Sequence, residues 1–144
     1  MIQLRTSQGV KKILTHFNIN VDALQCALTF ILNVYAPTYT KHPSIKIVGR
    51  KCNKNFGIYE FNTRKIIICA NTLTTREYVL STILHEFRHW IQHNIDGVPP
   101  SIIADTHLEY NKNAYEQQCC QFEKYYTQLE QLLTIYQEVI NENI

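Results

Sequence analysis

Within LHEFRHWIQ (Leu84 to Gln92) two histidines stand four residues apart, with a glutamate directly after the first. On a helix, residues i and i+4 lie one above the other, so the imidazoles of His85 and His89 can reach one metal ion at about 2.0–2.1 Å. Glu86 projects about 100° round the helix from His85. That is too far round for an easy third ligand, yet near enough to touch a water on the ion. A metal ion polarises such a water, and the carboxylate takes its proton as the water attacks a carbonyl. HExxH on a helix is therefore a unit with a mechanism, metal-assisted hydrolysis. The competing account is a solvated polar helix face that happens to carry His, Glu and His.

The spacing suits Zn2+, which needs a third protein ligand and one position left open. Downstream, His93 lies one turn beyond His89 and would have to bend back. His107 and Glu109 fall in the loop-rich DTHLEYNKN, and Glu116 falls in NAYEQQCCQFE, in the first turn of the last helix. Glu116 leads because it lies to one side of that helix's apolar stripe, where a carboxylate can look into a cleft. Its bland alternative is a first-turn glutamate favoured by the helix dipole. Glu109 and His107 stay open. Cys119 belongs to the stripe and is better read as packing.

The elements that must position these groups are legible from hydrophobic periodicity. Thr74 or Thr75 can cap a helix running to about Asn94, ended by DGVPP. Leu80, Ile83, Leu84, Phe87, Trp90 and Ile91 fall on one side of it, with His85 and His89 opposite. The chain ends in a helix from about Ala114 to Ile140, striped by Tyr115, Cys119, Phe122, Tyr126, Leu129 and Leu133. Before the HExxH helix the period is two. SIKIVG alternates, and FGIYEF and RKIIICA are β-rich runs joined through Asn62 and Thr63 as a hairpin. Earlier still, Asn20 caps a helix through Val21, Leu24, Leu28, Ile31, Leu32 and Tyr35 that Pro37 stops. QGVKKILTHF is a shorter helix or an entry strand. The expected fold is α+β, with a small, mostly antiparallel sheet of about three strands, an active-site helix and a long C-terminal helix.

Composition narrows the classes. The 144 residues suit a single domain spanning 1–144, and 45% hydrophobic with 18% charged residues fits a folded globular chain. A net charge of +2 with scattered Lys and Arg gives no nucleic-acid footprint, GRKCNK being a solvated turn. ALTFILNVYA is too short for a membrane span. Five cysteines without a CxxC spacing read as mostly buried, reduced thiols. With no signal-like start in MIQLRTSQGVKK, the expected compartment is cytoplasmic.

TILHEFRHWIQ followed by NAYEQQCCQFE resembles the gluzincin zinc metallopeptidases, in which a glutamate on a second helix joins an HExxH helix. The likeness is greatest to the small, single-domain minigluzincin form and covers about residues 45 to 125. The second motif of that form is approximately Asn-Pro-Tyr-Glu-x-x-Ala followed by an aromatic. Asn113, Tyr115, Glu116 and Phe122 match it, while Ala114 stands for the Pro and Cys119 for the small Ala. The resemblance implies a zincin-like fold, His85, His89 and Glu116 as zinc ligands and Glu86 as catalytic general base. Glu109 follows His89 by 20 residues, close to thermolysin-like spacing, but Asn113 stands where those enzymes carry Asp.

In such enzymes the substrate commonly adds as a strand to a sheet edge above the metal, and GIYEF is the candidate rim strand. Tyr110, Tyr115, His107 and His93 are all candidate oxyanion donors. The implied function is a zinc-dependent peptidase acting on a peptide or protein. Its alternative is a peptidase-like regulator or partner-binding protein with a zinc site and narrow or no proteolysis. A purely structural metal domain would leave Glu86 without a role.

Overall fold

The computed structural model describes residues 1–38, 41–49, 57–70, 75–104 and 113–142. Strand β1 (Gln3–Thr6) is followed by helices α1 (Gln8–His16) and α2 (Val21–Tyr35). Then come β2 (Ser44–Val48), β3 (Gly57–Glu60) and β4 (Lys65–Cys69). The chain closes with α3 (Arg76–Asn94), α4 (Pro100–Ile103), α5 (Ala114–Glu123) and α6 (Tyr126–Glu142).

The architecture is α+β, but the sheet departs from expectation. It has four strands in the order β1-β2-β4-β3 and is mixed. β1 runs parallel to β2 and β2 parallel to β4, so only the β3–β4 hairpin is antiparallel. The extra strand is QLRT, four residues with Leu4 half-buried between exposed neighbours, too short and too polar to announce itself by period. Two helices, α1 and α2, carry the chain from β1 to its parallel neighbour, the crossover that a parallel pair requires. QGVKKILTHF resolves as helix α1, with the Ser7 side chain accepting from the Val10 N–H.

One sheet face is covered by helices. Ile45, Ile47, Tyr59, Ile66 and Ile68 are buried there, while Lys46 on the alternate register is exposed. Asn20 caps α2 as anticipated, accepting from the Ala23 N–H at 3.0 Å. The long C-terminal helix is in fact two. After Glu123 the Lys124 and Tyr125 N–H groups turn back to Gln121 and Phe122, and α6 begins at Tyr126. The apolar stripe survives the break, since Cys119, Phe122, Leu129 and Leu133 are all buried. The break lets α5 pack on α3 while α6 packs chiefly on α2.

Cys26, Cys119 and Cys120 are free thiols. Cys69 is disulfide-bonded, an exception to the expectation of mostly reduced thiols. No single helix among the described residues is long and apolar enough to cross a membrane.

Candidate metal centre

Helix α3 starts on Thr75, whose hydroxyl accepts from the Tyr78 N–H at 3.1 Å; Thr74 lies outside the described residues. Two turns further on, α3 presents His85, Glu86 and His89. The opposing side chain comes from α5, which starts on Asn113. That buried side chain accepts from the Tyr115 and Glu116 N–H groups and donates to the Ile103 carbonyl of α4. Asn113 therefore fixes both the start of α5 and its place against α4. Ala114, where the resemblance has Pro, is the first helical residue, a position that proline suits but does not monopolise.

Glu116 closes on both histidines. One carboxylate oxygen lies 3.1 Å from His85 Nε2 and the other 3.0 Å from His89 Nε2. The polar face is not solvated: the side chains of His85 and His89 are only 12% and 9% exposed, covered by α5. Two imidazoles and a carboxylate converge as donors in a water-poor pocket, and such a set could hold a metal ion. Among the described residues, the sets in which one ligand atom from each residue lies within 4.8 Å of the others are His85, His89 and Cys119, and His85, Cys120 and Glu123; Glu116 meets the two histidines through different oxygens.

The electrostatics favour positive charge at this point. Burial opposes a charge on His85. Hydrogen bonding to Glu116 and Glu123, and the field of Glu86 and Glu123, override burial and lift its pKa to about 10. Burial likewise opposes the Glu116 carboxylate, yet hydrogen bonds and charges from both histidines hold its pKa down at about 2. Cys119 is pushed the other way: burial first, then the charges of Glu116 and Glu86, drive its thiol far above the usual range. A thiol ligates as thiolate, so among these donors Glu116 is the ready anion and Cys119 the reluctant one.

Glu86 differs from its neighbour Glu116. Burial raises its pKa, only partly offset by His85 and His89 and by a hydrogen bond from the Tyr59 backbone N–H. That donor belongs to β3, one of the two edge strands of the sheet among the described residues. Gly57, two residues earlier, makes the approach possible. A Cβ there would stand 2.9 Å from Thr82 Cγ2 and 3.0 Å from Glu86 Cγ. Between β3, α3, α4 and α5 opens a cleft of about 600 Å³, with His85, Glu86, His89 and Glu116 in its wall and Ile58, Phe61 and Tyr78 among its other lining residues.

Of the residues singled out from sequence, His85, Glu86, His89 and Glu116 come together in this cleft. His107, Glu109 and Tyr110 lie outside the described residues. His93 and Tyr115 are absent from the cleft lining. The His93 ring instead meets the Tyr59 hydroxyl at 2.7 Å. Burial and the Arg64 charge lower its pKa.

Two groups escaped sequence reasoning. Glu123 approaches His85 Nδ1 at 3.5 Å, and Gln92 holds His89 Nδ1 at 2.9 Å. Both had a helical signal. Glu123 sits two turns after Glu116 on one face of α5, and Gln92 sits one turn after His89 on α3.

Compared with known proteins, the chain matches no family model, no curated protein and no solved structure.

Proposed function

We propose that this chain is a zinc-dependent peptidase of gluzincin type, with His85, His89 and Glu116 as ligands and Glu86 as general base. One observation carries the proposal. The His85–His89–Glu116 cluster shares a cleft with a buried carboxylate, Glu86, that accepts from the Tyr59 N–H of strand β3. Two nitrogens and one carboxylate oxygen fit the donor set of a catalytic zinc, which keeps a fourth position open. Glu116 is preferred to Cys119 because it is already anionic and already meets both Nε2 atoms.

Zinc held by His85, His89 and Glu116 would supply Lewis-acid polarisation of a substrate carbonyl and acidify a water. The remaining work falls to side chains. Glu86 takes the proton as water attacks the peptide carbonyl carbon, and delivers it to the amine nitrogen as the C–N bond breaks. A carboxyl whose pKa is raised by burial is a stronger base for the first half of that exchange. The peptide lies along β3, whose edge offers main-chain groups for strand addition. Ile58, about one-third exposed at 36%, faces solvent on that rim.

The test is zinc content and peptide hydrolysis in the wild type beside Glu86→Gln, Glu116→Ala, Glu109→Ala and Cys119→Ala, each checked for folding. About one zinc per chain is expected in the wild type, lost selectively in Glu116→Ala. Glu86→Gln should keep zinc and lose hydrolysis by at least about 10²–10⁴-fold. Zinc lost only with Glu109 or Cys119 moves the third ligand. Full activity in Glu86→Gln removes the peptidase mechanism.

A further inference from the structure

Gln92 lies one turn beyond His89 on α3, is fully buried, and does not line the cleft. All of its amide is engaged. Nε2 donates to the Tyr115 carbonyl at 2.9 Å and to Gln118 Oε1 at 2.9 Å, and Oε1 meets His89 Nδ1 at 2.9 Å. A backbone carbonyl can only accept, so the amide nitrogen must face Tyr115 and the amide oxygen must face His89. His89 Nδ1 is then obliged to carry a proton. That leaves Nε2, 3.0 Å from Glu116 Oε1, as the atom that meets an ion.

Resting on the metal centre described above, we propose that Gln92 is its positioning residue. With one end of the amide it keeps a proton on His89 Nδ1, so that Nε2 is the nitrogen left to meet an ion. With the other it holds the α5 backbone at Tyr115, one residue before Glu116. A single buried side chain thus sets the orientation of the second ligand and the position of the third. The choice of amide over carboxylate has a reason. A carboxylate would accept from Nδ1–H equally well, but it could not donate to the Tyr115 carbonyl. It would also add a fourth anion to Glu86, Glu116 and Glu123 around two imidazoles.

The experiment measures zinc affinity by competition with a chelator in wild type, Gln92→Leu and Gln92→Glu, with folding checked for each. Gln92→Leu removes both ends and should weaken zinc binding by about 10–100-fold, the usual effect of losing a partner behind a metal-ligating histidine. Gln92→Glu restores the acceptor for Nδ1–H but not the donor to the Tyr115 carbonyl, and should recover part of that loss. Gln92→Leu within about twofold of a zinc-binding wild type overturns the assignment. Equal loss in both variants overturns the assignment to His89, because the amide would then act through the α5 backbone alone. A wild type that takes up no zinc overturns the metal centre as well, which is a different outcome from a variant that matches a binding wild type. Nitrogen-15 NMR of the zinc-loaded wild type depends on no variant folding. It should place the His89 proton on Nδ1, and a proton on Nε2 would refute the role of Gln92.

Discussion

Compare the two sides of α3. One carries Leu80, Ile83, Leu84, Phe87, Trp90 and Ile91; the other carries His85, Glu86, His89 and Gln92. Apart from His85, with its side chain 12% exposed, all are buried. The apolar side is held by contact area, which has no direction, and its Phe87 ring stacks on Phe122 of α5. The polar side is held by matched pairs, each needing its partner at one place: Gln92 to His89, Glu116 to both histidines, the Tyr59 N–H to Glu86. The first kind of burial makes the helix stay; the second decides what the helix can do. The same contrast recurs between two glutamates. Glu116, hydrogen-bonded to both histidines, is held ionised, while Glu86, with burial dominant, is drawn toward its neutral form.

The largest stability effect should lie on the apolar side. Phe87→Ala removes a fully buried ring and should cost about 3–5 kcal/mol in denaturant unfolding, with or without added zinc. A loss that zinc greatly reduces would mean the two sides are not separable.

Next comes the polar side, through pH in the metal-free protein. The His85 pKa is raised from 6.5 to about 10, so its stabilisation is fully present below pH 6.5 and is lost as pH rises through about 10. Glu116 is lowered from 4.5 to about 2, so its contribution is present above pH 4.5 and is lost as pH falls through about 2. The stability gap between wild type and His85→Ala should therefore be widest between about pH 4.5 and 6.5 and narrow as pH rises through about 10. A gap that widens on the alkaline side would contradict the charge pairing.

Gly57→Ala tests where the two kinds of burial meet. The added methyl crowds Thr82, Ile68 and the stem of Glu86, and overpacking of this sort costs about 1–3 kcal/mol. Zinc uptake should persist while hydrolysis falls, because it is Glu86 that must shift. The smallest effect should be at the rim of α3, where Arg76 pairs with Glu130 at about one-third exposure. Glu130→Gln should change stability by only about 0–1 kcal/mol.

Much of this was legible in the sequence because period and capping chemistry are local. Asn20 and Thr75 start their helices as their side chains dictate, and the Gly57–Cys69 hairpin follows from two β-rich runs around Asn62 and Thr63. The i, i+4 placement of His85 and His89 is a property of one helix and needed no tertiary information. What the sequence hid was non-local. QLRT becomes a strand only because β2 offers it a parallel neighbour. The polar face of α3 looked solvated because nothing in its own period says that α5 will cover it. The break at Lys124–Tyr125 carries no proline or glycine, and it reflects two partners, α3 and α2, pulling one stripe in two directions. Gln92 was visible only as a polar residue. Its role depends on the Tyr115 carbonyl, 23 residues away.

The hairpin turn from Phe61 to Arg64 sits at the end of the rim strand, its residues exposed or half-buried, with Arg64 in the left-handed region at φ 56°. It joins β4 to β3, one of the two edge strands of the sheet among the described residues. Chain length can change there without disturbing the ligands, which are anchored on α3 and α5. Exposed loop tips are where insertions are best tolerated. Evolution could lengthen the hairpin to raise one wall of the cleft, retuning which peptides it admits while the chemistry beneath stays the same.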